Sequence, residues 1–310
     1  MSANPRILKE VEPDERTGRL GAVPAELFDR SDVKGIARLV IHAGLLACTS
    51  FLLGASLGTL WAISAMILHG VVLTFLFSPL HECIHATAFR SRGLNDALAF
   101  ACGFLLLLPR EFFRAFHLEH HRYTQDPQRD PELSAKKPGS IGEYLRHLSG
   151  LPYWRERVTT ILRHARGRVA ETFIPDIKQA MIVREARLHL ALYAMAAIAS
   201  LVAQTDVLVI YWVIPALLGQ PFLRAFLLAE HTGCPCVPDM RVNTRTTISN
   251  PAVRLLTWNM PYHAEHHAWA AVPFHSLPSV HQQVRNSITH TGRGYLAVHR
   301  ELWRGLGKTS

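Results

Sequence analysis

Three short histidine groups are the residues of this chain best able to do chemistry. His81 and His85 sit in HECIH, His117, His120 and His121 in HLEHH, and His263, His266 and His267 in HAEHH. Spacings of three and four residues put side chains on one face of an α-helix, so each group presents two or three imidazoles in one direction. Imidazole is a metal ligand that suits Zn, Cu, Fe and Ni alike. Alone, HECIH has the H-E-x-x-H form in which two histidines hold one zinc and Glu82 is the general base. Eight imidazoles are far more than one zinc needs. They suit two metal ions with positions left open for substrate or oxygen.

Such a site needs helices that bring distant segments together, and the charge pattern indicates where they stand. Hydrophobic residues make up 49% of the 310 residues, yet mean hydropathy is only +0.11. No Lys or Arg occurs over 39–89 or 188–223, and the other segments carry all 33 basic residues. Each block has room for two spans of about 20 residues: 38–53 and 60–80 in the first, 188–202 and 207–229 in the second. The turns GASLG and AQTD lack basic residues, so the positive-inside rule places both outside and the basic segments in the cytoplasm. The expectation is an all-α integral membrane protein, with two transmembrane hairpins (four spans) and a helical cytoplasmic cap. The same reading divides the chain into a cytoplasmic N-terminal segment (1–37), a membrane domain (38–281) and a cytoplasmic C-terminal tail (282–310).

The first 37 residues lack the apolar stretch of a cleavable signal peptide. The five Cys fall in spans or on the predicted cytoplasmic side, which argues against a disulfide framework. The CPC at Cys234 is read as a loop coincidence rather than a metal or redox motif. The apolar stretch 94–109 is too short to span comfortably. It is expected either to lie in the membrane interface or to form a buried helix of the cap. A net charge of +9 suits an acidic protein partner or anionic headgroups, and no motif supports nucleic-acid binding.

HECIHATAF, HLEHHRYTQDPQRDPE and NMPYHAEHHAWAAVPFHSLP together resemble the three histidine boxes of the integral-membrane fatty acid desaturase and hydroxylase superfamily. The resemblance runs over 81–281 and includes the order of boxes and spans. It implies a cap carrying a non-haem di-iron centre, with O2 as co-substrate, that attacks an unactivated C–H bond; side chains alone cannot do this. It makes His81, His85, His117, His120, His121, His263, His266 and His267 iron ligands. His231, in RAFLLAEHTGC after the fourth span, is the candidate for a ninth. Some members place a water-bridging Asn four residues before that histidine, where this chain has Leu227.

A ligating imidazole usually donates its other N–H to a carboxylate or carbonyl. Asp130 and Glu230 are the expected partners, while Glu119 and Glu265 are read as surface carboxylates. Arg122 and Arg224 either pair with such carboxylates or meet a lipid headgroup. His69, inside the second span, either lines a substrate tunnel or bonds a neighbouring helix. His275 is read as structural or as part of a lid. His42, His147, His164, His189, His281, His290 and His299 are set aside as background.

The favoured expectation is desaturation of an acyl chain of a fatty acid or lipid. Hydroxylation or ketolation of a lipid or carotenoid is the alternative, because both begin by removing one hydrogen atom. Front-end desaturases often carry Gln where His263 opens the third box, which disfavours that subgroup. No fused haem domain or ferredoxin-like cysteine cluster occurs within these residues. Electrons are therefore expected from a separate ferredoxin- or rubredoxin-type donor with its reductase. The expected location is a bacterial inner membrane, with the active site on the cytoplasmic side. Two other readings explain less. An intramembrane zinc metalloprotease of the site-two type would want an N-P-D-G-like motif, whereas 249–254 reads SNPAVR, and both H-x-x-H-H boxes would have no role. A metal transporter or store would spread its ligands through the spans rather than cluster them outside.

Overall fold

The computed structural model describes residues 23–307, so most of the expected N-terminal segment lies outside the described range. Helix α1 (Asp32–Ser56) begins where the Ser31 hydroxyl accepts the Lys34 N–H, satisfying a donor that a helix start leaves open. Helix α2 (Ala62–Thr74) leads through a break at Phe75 and Leu76 into α3 (Phe77–Ile84). Then come α4 (Arg92–Leu105), α5 (Arg110–Tyr123), α6 (Ile141–Leu148) and α7 (Leu151–Ala165). Ser140 and Glu143 form a reciprocal capping box that fixes the start of α6. Long apolar helices return in α8 (Asp176–Val202) and α9 (Ile214–His231), the latter preceded by a π turn at Val209–Val213. The described chain closes with α10 (Met240–Asn243), α11 (Pro251–Leu256), α12 (His263–Ala268), α13 (Leu277–Val284) and α14 (Tyr295–Gly305).

Four helical runs are long and apolar enough to cross a membrane: Asp32–Ser56, Ala62–Ile84, Asp176–Val202 and Val209–His231. They form the expected pairs, but α8 starts at Asp176 rather than near residue 188. Its first turns carry Lys178, Arg184, Glu185 and Arg187, and Glu185 accepts the Glu111 N–H at 2.7 Å. Hydropathy marks where lipid contact begins, whereas the helix continues as far as its backbone and partners allow.

The second and fourth spans are the inner pair. Their apolar windows are 56% and 44% buried, against 17% for each of the outer two. The close contact between α2 and α9 rests on Gly70 and Gly219, where a Cβ on either would strike the other helix's backbone. Small residues at such a seam let two spans approach closely. His69 Nε2–H donates to the Tyr211 carbonyl at 3.0 Å, and its Nδ1 meets the Thr49 hydroxyl at 2.8 Å. Of the two roles open to His69, bonding neighbouring helices is the one the geometry supports.

Helix α4 buries Asn95, Ala99, Cys102 and Gly103, so stretch 94–109 presents one face to the cap's core. That core joins Leu80, Ile84, Phe89, Leu106 and Phe112 to Trp258 and Phe274 from the far end of the chain. Burying one such side chain is worth about 1.5–3 kcal/mol.

The expected boundary at 281 needs correction. Strands β1 (Arg245–Thr247) and β2 (His290–Gly292) pair in parallel across it, with Arg245 opposite His290. Beyond them, His299 Nε2–H donates to the Ala225 carbonyl at 2.8 Å, and Tyr295 stacks on Phe226. Residues 282–307 are part of the folded body rather than a tail, because their apolar and backbone groups find partners on α9 and β1.

Candidate metal centre

Each histidine group is aimed by the end of an element. His81 lies in the last turn of α3 and His85 at its C-cap. His117, His120 and His121 share the C-terminal half of α5, His231 closes α9, and α12 is little more than the box HAEHHA itself. The turn before α12 uses two left-handed residues, Trp258 (φ 51°) and Asn259 (φ 61°). Asn259 holds that turn by donating to the Phe274 carbonyl at 2.9 Å, with Trp258 fully buried beneath.

All nine histidines singled out in the sequence meet in one place. One ring nitrogen from each of His81, His85, His117, His121 and His266 lies within 4.8 Å of the others, and the same holds for His120, His231 and His267. His263 joins the second group, with its Nε2 3.1 Å from those of His231 and His267. The groups adjoin where the His121 and His267 rings stack, 4.0 Å between centroids.

Outward hydrogen bonds fix which nitrogens face inward. His120 Nδ1–H donates to Asp130 Oδ1 at 2.9 Å, and Asp130 also accepts the Gln125 and Glu132 N–H groups. The Thr124 hydroxyl donates to the His120 carbonyl at 2.8 Å, so its oxygen is left to accept His267 Nδ1–H at 3.1 Å. His231 Nδ1 faces the Asn243 carbonyl, which can only accept, at 3.5 Å. An imidazole that donates from Nδ1 while neutral carries a lone pair on Nε2. Nε2 of His120 and Nε2 of His231 therefore face each other at 3.3 Å. A cation placed between two such nitrogens is coordinated by both. Either group can hold a metal ion, and an all-imidazole donor set suits a transition metal rather than Mg or Ca.

The charges agree with that reading. Burial, with added repulsion from His120, pushes His85 down to about 3. Burial and neighbouring imidazoles hold His117, His121, His263, His266 and His267 well below the ordinary histidine range. These rings stay neutral and keep lone pairs available. His120 differs: burial opposes its charge, but the Glu132 and Asp130 carboxylates outweigh burial and raise it.

Of the two expected carboxylate partners, Asp130 bonds a histidine directly. Glu230 lies 3.4 Å from His263 Nδ1. Glu265 is not on the surface: it is fully buried, accepting from Thr246 and from His281. Burial is decided by β1 and α13 closing over it, which no local pattern announces. Glu119 pairs with Arg122 at 3.3 Å. Glu82 is fully buried and accepts from Thr87 at 2.8 Å and the Phe274 N–H at 3.1 Å, locked away from the position a hydrolytic base would need. Thr124, Gln125 and Asn243 were passed over in the sequence, although Gln125 donates to the His231 carbonyl at 2.7 Å. The only signal for Thr124 and Gln125 was their place directly after the second box.

A cavity of about 240 Å³ reaches the histidines. Its lining includes Phe77, Phe113 and Phe116, the histidines His81, His117, His120, His231 and His263, and Tyr153, Arg157 and Arg224. The aromatic part of this lining can accommodate a hydrocarbon chain beside the imidazoles.

Comparison with known proteins agrees with this arrangement. Residues 58–299 match the family model described as fatty acid desaturase. The chain is 22% identical to the sn-1 oleoyl-lipid 12-desaturase of Picosynechococcus sp. over 86% of its own length and 81% of that protein. A Synechocystis sp. protein of the same name is also 22% identical, over 86% of this chain and 80% of its own. Beta-carotene 4-ketolase 3 of Haematococcus lacustris is 33% identical over 30% of each chain.

Proposed function

This chain belongs to the fatty acid desaturase family, and we propose that it introduces a double bond into an acyl chain of a membrane lipid, using two irons, O2 and electrons from a separate protein. The observation that carries the two-metal part is the convergence of nine imidazoles, with Nε2 of His120 and of His231 facing each other at 3.3 Å. His81, His85, His117, His121 and His266 would hold one iron, and His120, His231, His263 and His267 the other. When bound, the iron pair supplies the oxidising power for breaking an unactivated C–H bond.

The chain's own residues do the rest. Asp130 and Thr124 hold Nδ1–H of His120 and His267, which leaves Nε2 free for the metal. Glu230 stands 3.4 Å from His263 Nδ1 without a hydrogen bond to it. Phe77, Phe113 and Phe116 guide the acyl chain and keep water away from the reacting carbon. The cytoplasmic placement of the cap is supported by basic residues flanking both hairpins. A bacterial inner membrane, and a ferredoxin- or rubredoxin-type donor with its reductase, complete the proposal.

The likeness to a ketolase favours hydroxylation or ketolation of a lipid or carotenoid as the second reading. Two measurements test the assignment. Metal analysis of protein purified in mild detergent should give about two irons per chain, and lipids of an expressing host should gain double bonds. One zinc per chain would sink the di-iron reading, and new hydroxylated or keto products would move it to the second.

A further inference from the structure

Two arginines in the cavity wall have no role in the site described above. Arg224 lies on α9, inside a candidate span, with its guanidinium carbon 4.3 Å from the centre of the Tyr153 ring. Arg157, on α7, stands 5.5 Å from the same ring and 5.3 Å from that of Phe112. Its side chain is only 8% exposed. Nε of each arginine is buried and has no hydrogen-bond partner. Among the described residues, no carboxylate comes within ion-pair distance of Arg224, and Arg157 has only the largely exposed Glu156 beside it. Glu132 and Glu156 also line the cavity, as do Lys136 and Lys137, but Lys137 is spent on Gln125 and the His231 carbonyl.

A charged side chain within an apolar span is costly and persists where it serves a ligand or partner. Two guanidiniums sharing one aromatic ring repel each other until an anion sits between them, and a planar fork matches carboxylate or phosphate oxygens. Arg224 precedes His231 by seven residues, or about 10 Å of helix, too far to touch the metal centre. Around this wall, α6 and α7 expose Ile141, Leu145, Leu151 and Val158, a surface suited to the membrane interface.

We propose that Arg157 and Arg224, gathered on Tyr153, bind the oxyanion of the acyl substrate: the phosphate of an anionic phospholipid or the carboxylate of an unesterified fatty acid. The pair selects such substrates over neutral lipids and hydrocarbons. This inference rests on the acyl desaturase reading and supplies its substrate class.

The test uses the full chain in mild detergent and follows quenching of tryptophan fluorescence, to which Trp154 beside Tyr153 contributes. Oleate and dioleoylphosphatidylglycerol are the oxyanion probes, with oleyl alcohol as the neutral one. At least one oxyanion probe is expected to bind about tenfold or more tighter than the alcohol. Arg157→Gln and Arg224→Gln are each expected to remove that advantage and leave alcohol binding and metal content unchanged. Preference for the phospholipid alone identifies a phosphate, and preference for oleate alone a carboxylate.

Equal binding of all three probes by the unaltered protein, or full oxyanion selectivity in both Gln variants, overturns the proposal. If a Gln variant does not fold, Arg157→Lys and Arg224→Lys carry the test, and a loss that falls equally on the alcohol counts against the site. Lipid analysis of the host separates the two readings. New double bonds without oxyanion selectivity leave the desaturase and remove the site. Arginine-dependent selectivity without new double bonds does the reverse.

Discussion

The two histidine groups are held in different ways. Around His120, His231 and His267 lies a polar shell of Asp130, Thr124 and the Asn243 carbonyl, while His263 Nδ1 has Glu230 at 3.4 Å without a hydrogen bond. Around His81, His85, His117, His121 and His266 there is almost none. Nδ1 of His81, His121 and His266 has no protein partner, and these rings are set by packing, as where Phe113 stacks on His117 at 5.3 Å. Three rings of one group are therefore oriented by hydrogen bonds that fix the tautomer, and the rings of the other mainly by packing. Outer partners should matter on one side of the centre and helix packing on both.

The largest effects come from the ligands themselves. His266→Ala and His267→Ala should each lower iron from about two per chain to about one or less. Each should cut desaturation by more than about a hundredfold, beyond the range seen for outer partners. Metal analysis of both variants would break the comparison if neither changed. Next, Asp130→Ala should weaken metal binding at the four-histidine group by about 10–100-fold, read by chelator competition, with one iron per chain retained. Loss of both irons together would show that the groups are not separable.

Gly219→Val tests the packing side. A side chain at the α2–α9 seam should cost about 1–3 kcal/mol, seen as a lower thermal unfolding midpoint, because the seam joins α9, which ends in His231, to the helix that leads into α3 and His81. The smallest effect lies outside both groups. Burial pushes His147 and His275 down to about 4 from an ordinary 6.5. The unfolded chain thus takes up protons first, and stability present above pH 6.5 is lost progressively as pH falls towards 4. Unfolding midpoints across that range should fall on acidification, and by less in His147→Gln.

Much of this was legible in the sequence because helix periodicity is local. Spacings of three and four residues already put His117, His120 and His121 on one face, and stretches free of Lys and Arg already marked the two hairpins. Helix ends were less legible. The start of α8 at Asp176 depends on Glu185 finding the Glu111 N–H across the cap. The burial of Glu265 and its bond to His281 were illegible for the same reason, since they arise only when α12 and α13 fold together.

The sequence by itself determined the residue types, their presentation on helix faces and the blocks able to enter a membrane, because each depends on neighbours within a few turns. The tertiary structure alone decided that His231 joins a group built from α5 and α12. It also decided that the histidine Asp130 meets is His120, and that Arg157 and Arg224 meet on one ring. Those relations join residues as much as 111 positions apart, and no local propensity encodes a distance between helices that meet only when the core closes.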